Sequence, residues 1–158
     1  MAREIKVRAW DRHNKVWIGP YTLKQLASDD QFNYDTEVHP VSSRFEDFDW
    51  VEYTGMKDRS GKEIYEGDIL TVYYSDGSAL KEPAEVKFGL HHVGYDSDAV
   101  AAGPTLGFFF SPYAYGNAYD DGNHPTWMSE NFTWEFPERL EVIGNIYEHP
   151  DLVPKEVS

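Results

Sequence analysis

Apolar and polar residues alternate over residues 4–10, EIKVRAW, with Ile5, Val7 and Ala9 on one side and Lys6 and Arg8 on the other. That two-residue period predicts a strand with one buried face. Asp11–Asn14 supply a turn and Lys15–Ile18 return as a second short strand, so the chain opens on a hairpin, which Gly19 and Pro20 break. Thr22 followed by Gln25 forms a capping box ahead of Leu23 and Leu26, predicting one short helix over 22–28. Residues 28–44 are polar and poorly periodic, broken at His39-Pro40, and read as loop with an edge strand at 36–41.

The densest pattern is WVEYTGMKDRSGKEIYEGDILTVYY over 50–74. Gly55 and Gly61 mark two tight turns in succession, Ile64 and Tyr65 pack inward, Gly67-Asp68 makes another turn, and Ile69–Tyr74 is a strand. Asp76-Gly77 is a hairpin signal, and Ala84–Phe88 returns with Ala84, Val86 and Phe88 on one face. Leu140, Val142 and Ile146 mark a closing strand over 139–147 with a bulge at Gly144, and Pro150–Ser158 is a polar tail. Residues 89–125 differ in character: glycines and prolines interrupt regular structure, yet Phe108, Phe109 and Phe110 form a short central strand surrounded by Tyr95, Tyr113, Tyr115 and Tyr119. This stretch reads as a long excursion from a β-meander, of a length that is usually functional in a compact domain.

The 158 residues suffice for one domain, and 41% apolar content with 16% aromatics fills one core. Fourteen Lys and Arg against 28 Asp and Glu leave a net charge of −14, a field that repels phosphate and disfavours direct nucleic-acid binding. The absence of cysteine excludes a disulfide framework and thiolate chemistry and fits a reducing compartment. The start MAREIKVRAW carries no secretory pattern, and no apolar run approaches the ~18 residues of a membrane span, so a soluble, cytoplasmic protein is expected.

Three blocks carry a resemblance. MAREIKVRAWD, the central EYTGMKDRSGKEIYEGDIL and the C-terminal LEVIGNIYEHPDL resemble the signature blocks of the YopX family of phage and prophage proteins, with a framework from Arg3 to Leu152. The 28–49 and 89–125 stretches look expanded relative to a minimal member. The resemblance implies a small, oligomeric β protein with an SH3-like barrel around the central block, encoded by a bacteriophage or prophage and present in the bacterial cytoplasm. It implies no catalytic residue and no established biochemical function. The expected architecture is mainly β, a partly open SH3-like barrel with one short helix and the Gly/aromatic-rich excursion, as a single domain over 1–152 with a tail over 153–158.

Candidate chemistry is thin. Gly55, Gly61 and Gly67 have turn roles, and Tyr53, Ile64, Tyr65 and Ile69 have packing roles, which leaves Glu63, Glu66 and Asp68 as the polar remainder that a surface site could use. His91 and His92 are adjacent and would face opposite sides of a strand, while His39, His124 and His149 each precede proline and read as turn starts, so no metal is expected. There is no GxSxG elbow, GPTLG at 103–107 lacks the lysine of a phosphate loop, and no carboxylate pair stands out. Neither an enzyme activity nor a cofactor is expected.

The acids sit beside aromatics, as in EDFDWVE at 46–52 and YDD at 119–121, so Asp47, Asp49, Trp50, Tyr119, Asp120 and Asp121 are the candidate contact residues. The expected partner is a host or phage protein with a basic surface, drawn by charge and held by buried aromatics. A special case is a decoy whose carboxylates imitate DNA phosphates: Asp47 and Asp49 on one face of an extended run would lie ~7 Å apart. The alternative is a small-ligand or nucleotide sink or sensor that uses the aromatic 89–125 region.

Overall fold

The computed structural model describes residues 4–27, 47–73, 76–79, 82–91, 105–111 and 137–153. They form two compact units, Met1–Gly55 and Met56–Ser158. Eight strands build two antiparallel four-stranded sheets: β1 (Lys6–Asp11), β2 (Val16–Thr22), β3 (Phe48–Lys57) and β4 (Glu63–Tyr65) in the order β2-β1-β3-β4, and β5 (Asp68–Val72), β6 (Ala84–His91), β7 (Thr105–Ser111) and β8 (Leu140–Asn145) in the order β7-β6-β5-β8. The protein is mainly β, and its described strands make two sheets with no closed barrel. The edge strand expected at 36–41 lies outside the described residues.

In the first unit β1 and β2 form the expected hairpin, with Trp10 opposite Trp17 and Asp11 opposite Val16. Gly19 and Pro20 do not break it: β2 continues to Thr22, and the register shifts between Val7 and Ala9 so that the two residues bulge out of the ladder. Among the described strands β2 is at the sheet edge, where proline's missing N–H is tolerated, and Gly19 takes φ 96°, which a side chain would resist. Burial along β1 does not follow the single face expected. Ile5 stays 43% exposed whereas Trp10 is buried, because the Trp17 ring lies 5.2 Å from its own. The capping box is present in both directions: Gln25 N–H donates to Thr22 Oγ1 at 3.3 Å and Thr22 N–H to Gln25 Oε1 at 2.7 Å, opening helix α1 (Leu23–Ala27).

In the second unit Ile64, Leu70, Val72, Ala84, Val86, Phe110 and Leu140 form the core, with Met56, Phe108 and Val142 against it. β6 supplies one apolar face through Ala84 and Val86, whereas β5 is buried on both, with Leu70 and Val72 in the core and Ile69 fully buried on the alternate side. Gly61 and Gly67 occupy turns with φ 86° and 83°. Gly55 does not; it lies within β3 at φ 91°, a local kink in a continuing strand. At the Asp76-Gly77 turn, Asp76 accepts from Ser78 N–H at 2.9 Å and Tyr73 bridges to Ala79.

The expected excursion begins later than its composition suggests. β6 runs on to His91 and pairs with β7 over seven residues, from Glu85 opposite Ser111 to His91 opposite Thr105. The phenylalanine triplet lies in β7, which is at the edge of the sheet among the described strands. β8 closes the sheet with the bulge foreseen at Gly144: Ile69 faces Gly144 and Leu70 faces Val142, leaving Ile143 over. Ile146 belongs to the turn that follows, and Pro150–Leu152 is a 3-10 turn rather than the start of the tail.

Candidate functional site

The first candidate stretch opens β3. Its register against β1 sets Asp49 opposite Trp10, Trp50 opposite Ala9 and Phe48 opposite Asp11. Successive strand residues point to opposite faces, so Asp49 and Trp50 do not share a surface. Trp50 instead meets Phe48, ring centroids 6.3 Å apart and edge to face. Asp49 Oδ2 lies 3.5 Å from Arg12 Nε, and Arg12 N–H donates to the Asp47 carbonyl at 3.4 Å. An exposed pair of this kind is worth at most ~1 kcal/mol, yet it offsets part of the local negative charge. Asp47 is exposed and lies one residue before β3, outside the extended run that phosphate-like spacing requires. Tyr119, Asp120 and Asp121, and the tyrosines at 113 and 115, lie outside the described residues.

The second stretch is the central block, where an aspartate with no assigned role organises the turn between β3 and β4. Asp58 is 6% exposed. Its Oδ1 accepts from Ser60 N–H at 2.8 Å, Ser60 Oγ–H at 2.7 Å and Lys62 N–H at 3.0 Å, and its Oδ2 accepts from Val142 N–H of β8 at 2.9 Å. Burial pushes this carboxyl up, but the bonds from Val142, Ser60 and Lys62 together outweigh it and hold the pKa below the ordinary aspartate value. The signal in the sequence was Asp followed two residues later by Ser and then Gly, an Asx-turn pattern.

Of the polar remainder, Asp68 is turned inward, 1% exposed, with Oδ2 accepting from Tyr65 N–H at 2.8 Å. Glu63 accepts from Tyr65 Oη–H at 2.7 Å. The first bond closes the turn after β4 and the second runs along β4, so Asp68 and Glu63 are each tied to Tyr65. Gly67 joins two neighbours, donating to the Val86 carbonyl at 2.8 Å and accepting from Ile146 N–H at 2.9 Å. His149 does begin a turn, and its Nδ1 also accepts from Asn145 N–H at 3.3 Å. Among the described residues no three His, Asp or Glu side chains converge to hold a metal ion.

These turns and strands are the places where the three sequence blocks fold, and a family model described as YopX protein matches residues 6–154. The chain belongs to the YopX family. The YopX match takes in β1 at one end and the turn after β8 at the other, so the framework read from the three blocks is that of the family. No curated protein matches the chain. The chain is similar to a solved structure, protein EF1440 from Enterococcus faecalis, at 20% identity and a TM-score of 0.47 over 96% of this chain and 99% of that one. No described helix is long and apolar enough to cross a membrane.

Proposed function

We propose that this YopX protein is a phage or prophage accessory protein with a non-enzymatic binding role, acting as an oligomer that contacts a host or phage protein of basic surface. The observation that carries the reading is an apolar face that continues out of the core along the β6–β7 ribbon. Val86 and Phe110 are buried, their neighbours Phe88 and Phe108 stack edge to face at 5.0 Å, and Phe88 is 45% and Leu106 63% exposed. A contiguous exposed stripe of this kind is the usual mark of a contact surface. The net charge of −14 speeds encounter with a basic partner and slows encounter with nucleic acid.

Within this reading Asp47, Asp49, Tyr119, Asp120 and Asp121 are the contact residues, and Trp50, on the opposite face of β3 from Asp49, belongs to a separate contact. The decoy variant has the weaker support, since Asp49 is already paired with Arg12. An SH3-like path for the central block belongs to the same proposal, supported by successive antiparallel strands joined by short glycine turns at 66–67 and 76–77. The test is affinity capture from host lysate with wild type and with Asp47, Asp49, Asp120 and Asp121 all changed to Asn. Proteins captured by wild type alone support the acidic contact. Equal recovery by both forms, or tight binding of DNA at physiological salt, overturns it.

A further inference from the structure

The turn between β3 and β4 takes no part in the acidic or the apolar contact surface. It carries Lys57, Arg59 and Lys62, all exposed. In a chain with 28 acids against 14 Lys and Arg, a cation has many carboxylates within reach. Yet the described ion pairs are Lys6–Glu4, Arg12–Asp49 and Lys87–Glu85, and none of them uses a cation of this turn. The turn therefore gathers three exposed cations on an acidic protein, with Glu141 near Arg59 through their shared contact with Tyr73.

Its backbone is fixed. Asp58 N–H donates to the Lys62 carbonyl at 2.8 Å, Gly61 N–H to the Asp58 carbonyl at 2.9 Å, and Arg59 N–H to the Leu140 carbonyl at 2.9 Å. The buried Asp58 carboxylate takes Ser60 N–H and Lys62 N–H. Two consequences follow. The cations are displayed from a rigid base, which lowers the ordering cost of binding. The amides of residues 58–62 are all used internally, so they cannot cradle a small phosphate in the way an anion nest does. Recognition rests on the side-chain charges.

Arg59 has a particular posture. Its guanidinium lies over the Tyr73 ring, 4.4 Å from the centroid, and the Tyr73 hydroxyl donates to Glu141 at 2.9 Å, which anchors the ring. Held over the ring, the guanidinium keeps its planar N–H fork, a shape that matches a carboxylate. At Gly61 a Cβ would meet nothing within 4 Å, so another backbone can approach the tip closely.

We propose that the turn over residues 57–62 is a preformed docking surface for a carboxylate-rich segment of a partner protein. It is distinct from the acidic contact above and opposite to it in sign. A short acidic segment is favoured over a nucleic acid because of how far each charge array extends. A duplex carries a charge every ~1.7 Å along its axis and runs far past a six-residue turn, so most of its phosphates would face a protein of net charge −14. An acidic segment confines its charge to the turn, and a Debye length of ~8 Å at physiological ionic strength screens much of the remaining surface.

The test uses the full chain and three probes: a short fluorescent peptide of alternating Glu and Ser, a labelled DNA duplex and inorganic phosphate. Saturable peptide binding that weakens as salt is raised is the expected result. Lys57→Gln/Arg59→Gln/Lys62→Gln should weaken it about tenfold or more. Arg59→Lys keeps the charge and loses the fork, and should weaken it by less. Lys57→Gln/Lys62→Gln leaves the Tyr73 stack in place and should still cost several-fold, which preserves the test if the triple variant fails to fold. Absence of saturable binding, binding insensitive to salt, equal affinity in the variants, or tighter binding of the duplex or of phosphate each overturns the proposal.

Discussion

Asp58 shows how a charged residue becomes structural in this protein. Its carboxylate accepts four hydrogen bonds, three within the turn and one from Val142 in β8. Asp58→Asn replaces one acceptor oxygen by an NH2 group that faces N–H donors. The expected loss is about 1–3 kcal/mol, the range for leaving a buried polar group unmatched, read from urea or thermal unfolding. The pH dependence has a definite sign. Because the folded-state pKa is depressed, the contribution is complete above the unfolded value of ~3.9 and disappears as pH falls through the folded one. The stability gap between wild type and Asp58→Asn should therefore narrow below ~pH 4, and a gap that stays constant into stronger acid would contradict this account. Asp11 and Asp68 are structural too, each buried and each accepting a backbone N–H from its turn. Part of the acidic composition is thus spent inside the fold and never reaches the surface.

At the scale of elements, the glycines of the central block separate into two kinds. Gly61 and Gly67 both have positive φ, but a Cβ at Gly61 meets nothing whereas one at Gly67 comes within 3.2 Å of the Tyr147 ring. Gly61→Ala should cost on the order of 1–2 kcal/mol for the left-handed backbone alone, and Gly67→Ala more, since Tyr147 must also move. Equal losses in thermal unfolding would show that the crowding at Gly67 is relieved without cost. Gly144 is a third case: its Cβ would lie 2.8 Å from His149 Nδ1 and 3.0 Å from Leu152. Gly144→Ala should release the 149–152 turn from β8, and combining it with His149→Ala should cost less than the sum of the two single changes. Additive losses would place the strain elsewhere.

For the molecule as a whole, the exposed Phe88 and Leu106 set an expectation about assembly. Light scattering at tens of micromolar, where ~8 kcal/mol of association free energy would populate a complex, should find an oligomer. Phe88→Ser/Leu106→Ser should shift it toward monomer, at a modest loss of stability from the Phe88–Phe108 edge-to-face contact. Monomeric wild type at that concentration would refute the assembly. The same measurement bears on surface chemistry, since salt screens the repulsion between copies of net charge −14 and so favours an apolar contact, while it weakens the contacts of the 57–62 turn.

What the residues alone determined were features set by neighbours in the chain. The capping box at Thr22 and Gln25, the hairpin after Asp11, the turns at Gly61 and Gly67 and the bulge at Gly144 each depend on the conformational reach of a few adjacent residues. The YopX framework was legible for the same reason, because its three blocks are runs of such turns and strands. Alternation along EDFDWVE likewise sets Asp49 and Trp50 on opposite faces, so its acids and its tryptophan do not form one patch. Only the tertiary structure decided matters that depend on pairing over long separations. It continued β2 through Pro20 by placing it at a sheet edge, and carried β6 to His91 by giving it β7. It also buried Asp58 by bringing Val142 to it across 84 residues of chain. An edge, a partner strand and a buried carboxylate are properties of which segments meet, and local sequence carries no energy term for that meeting.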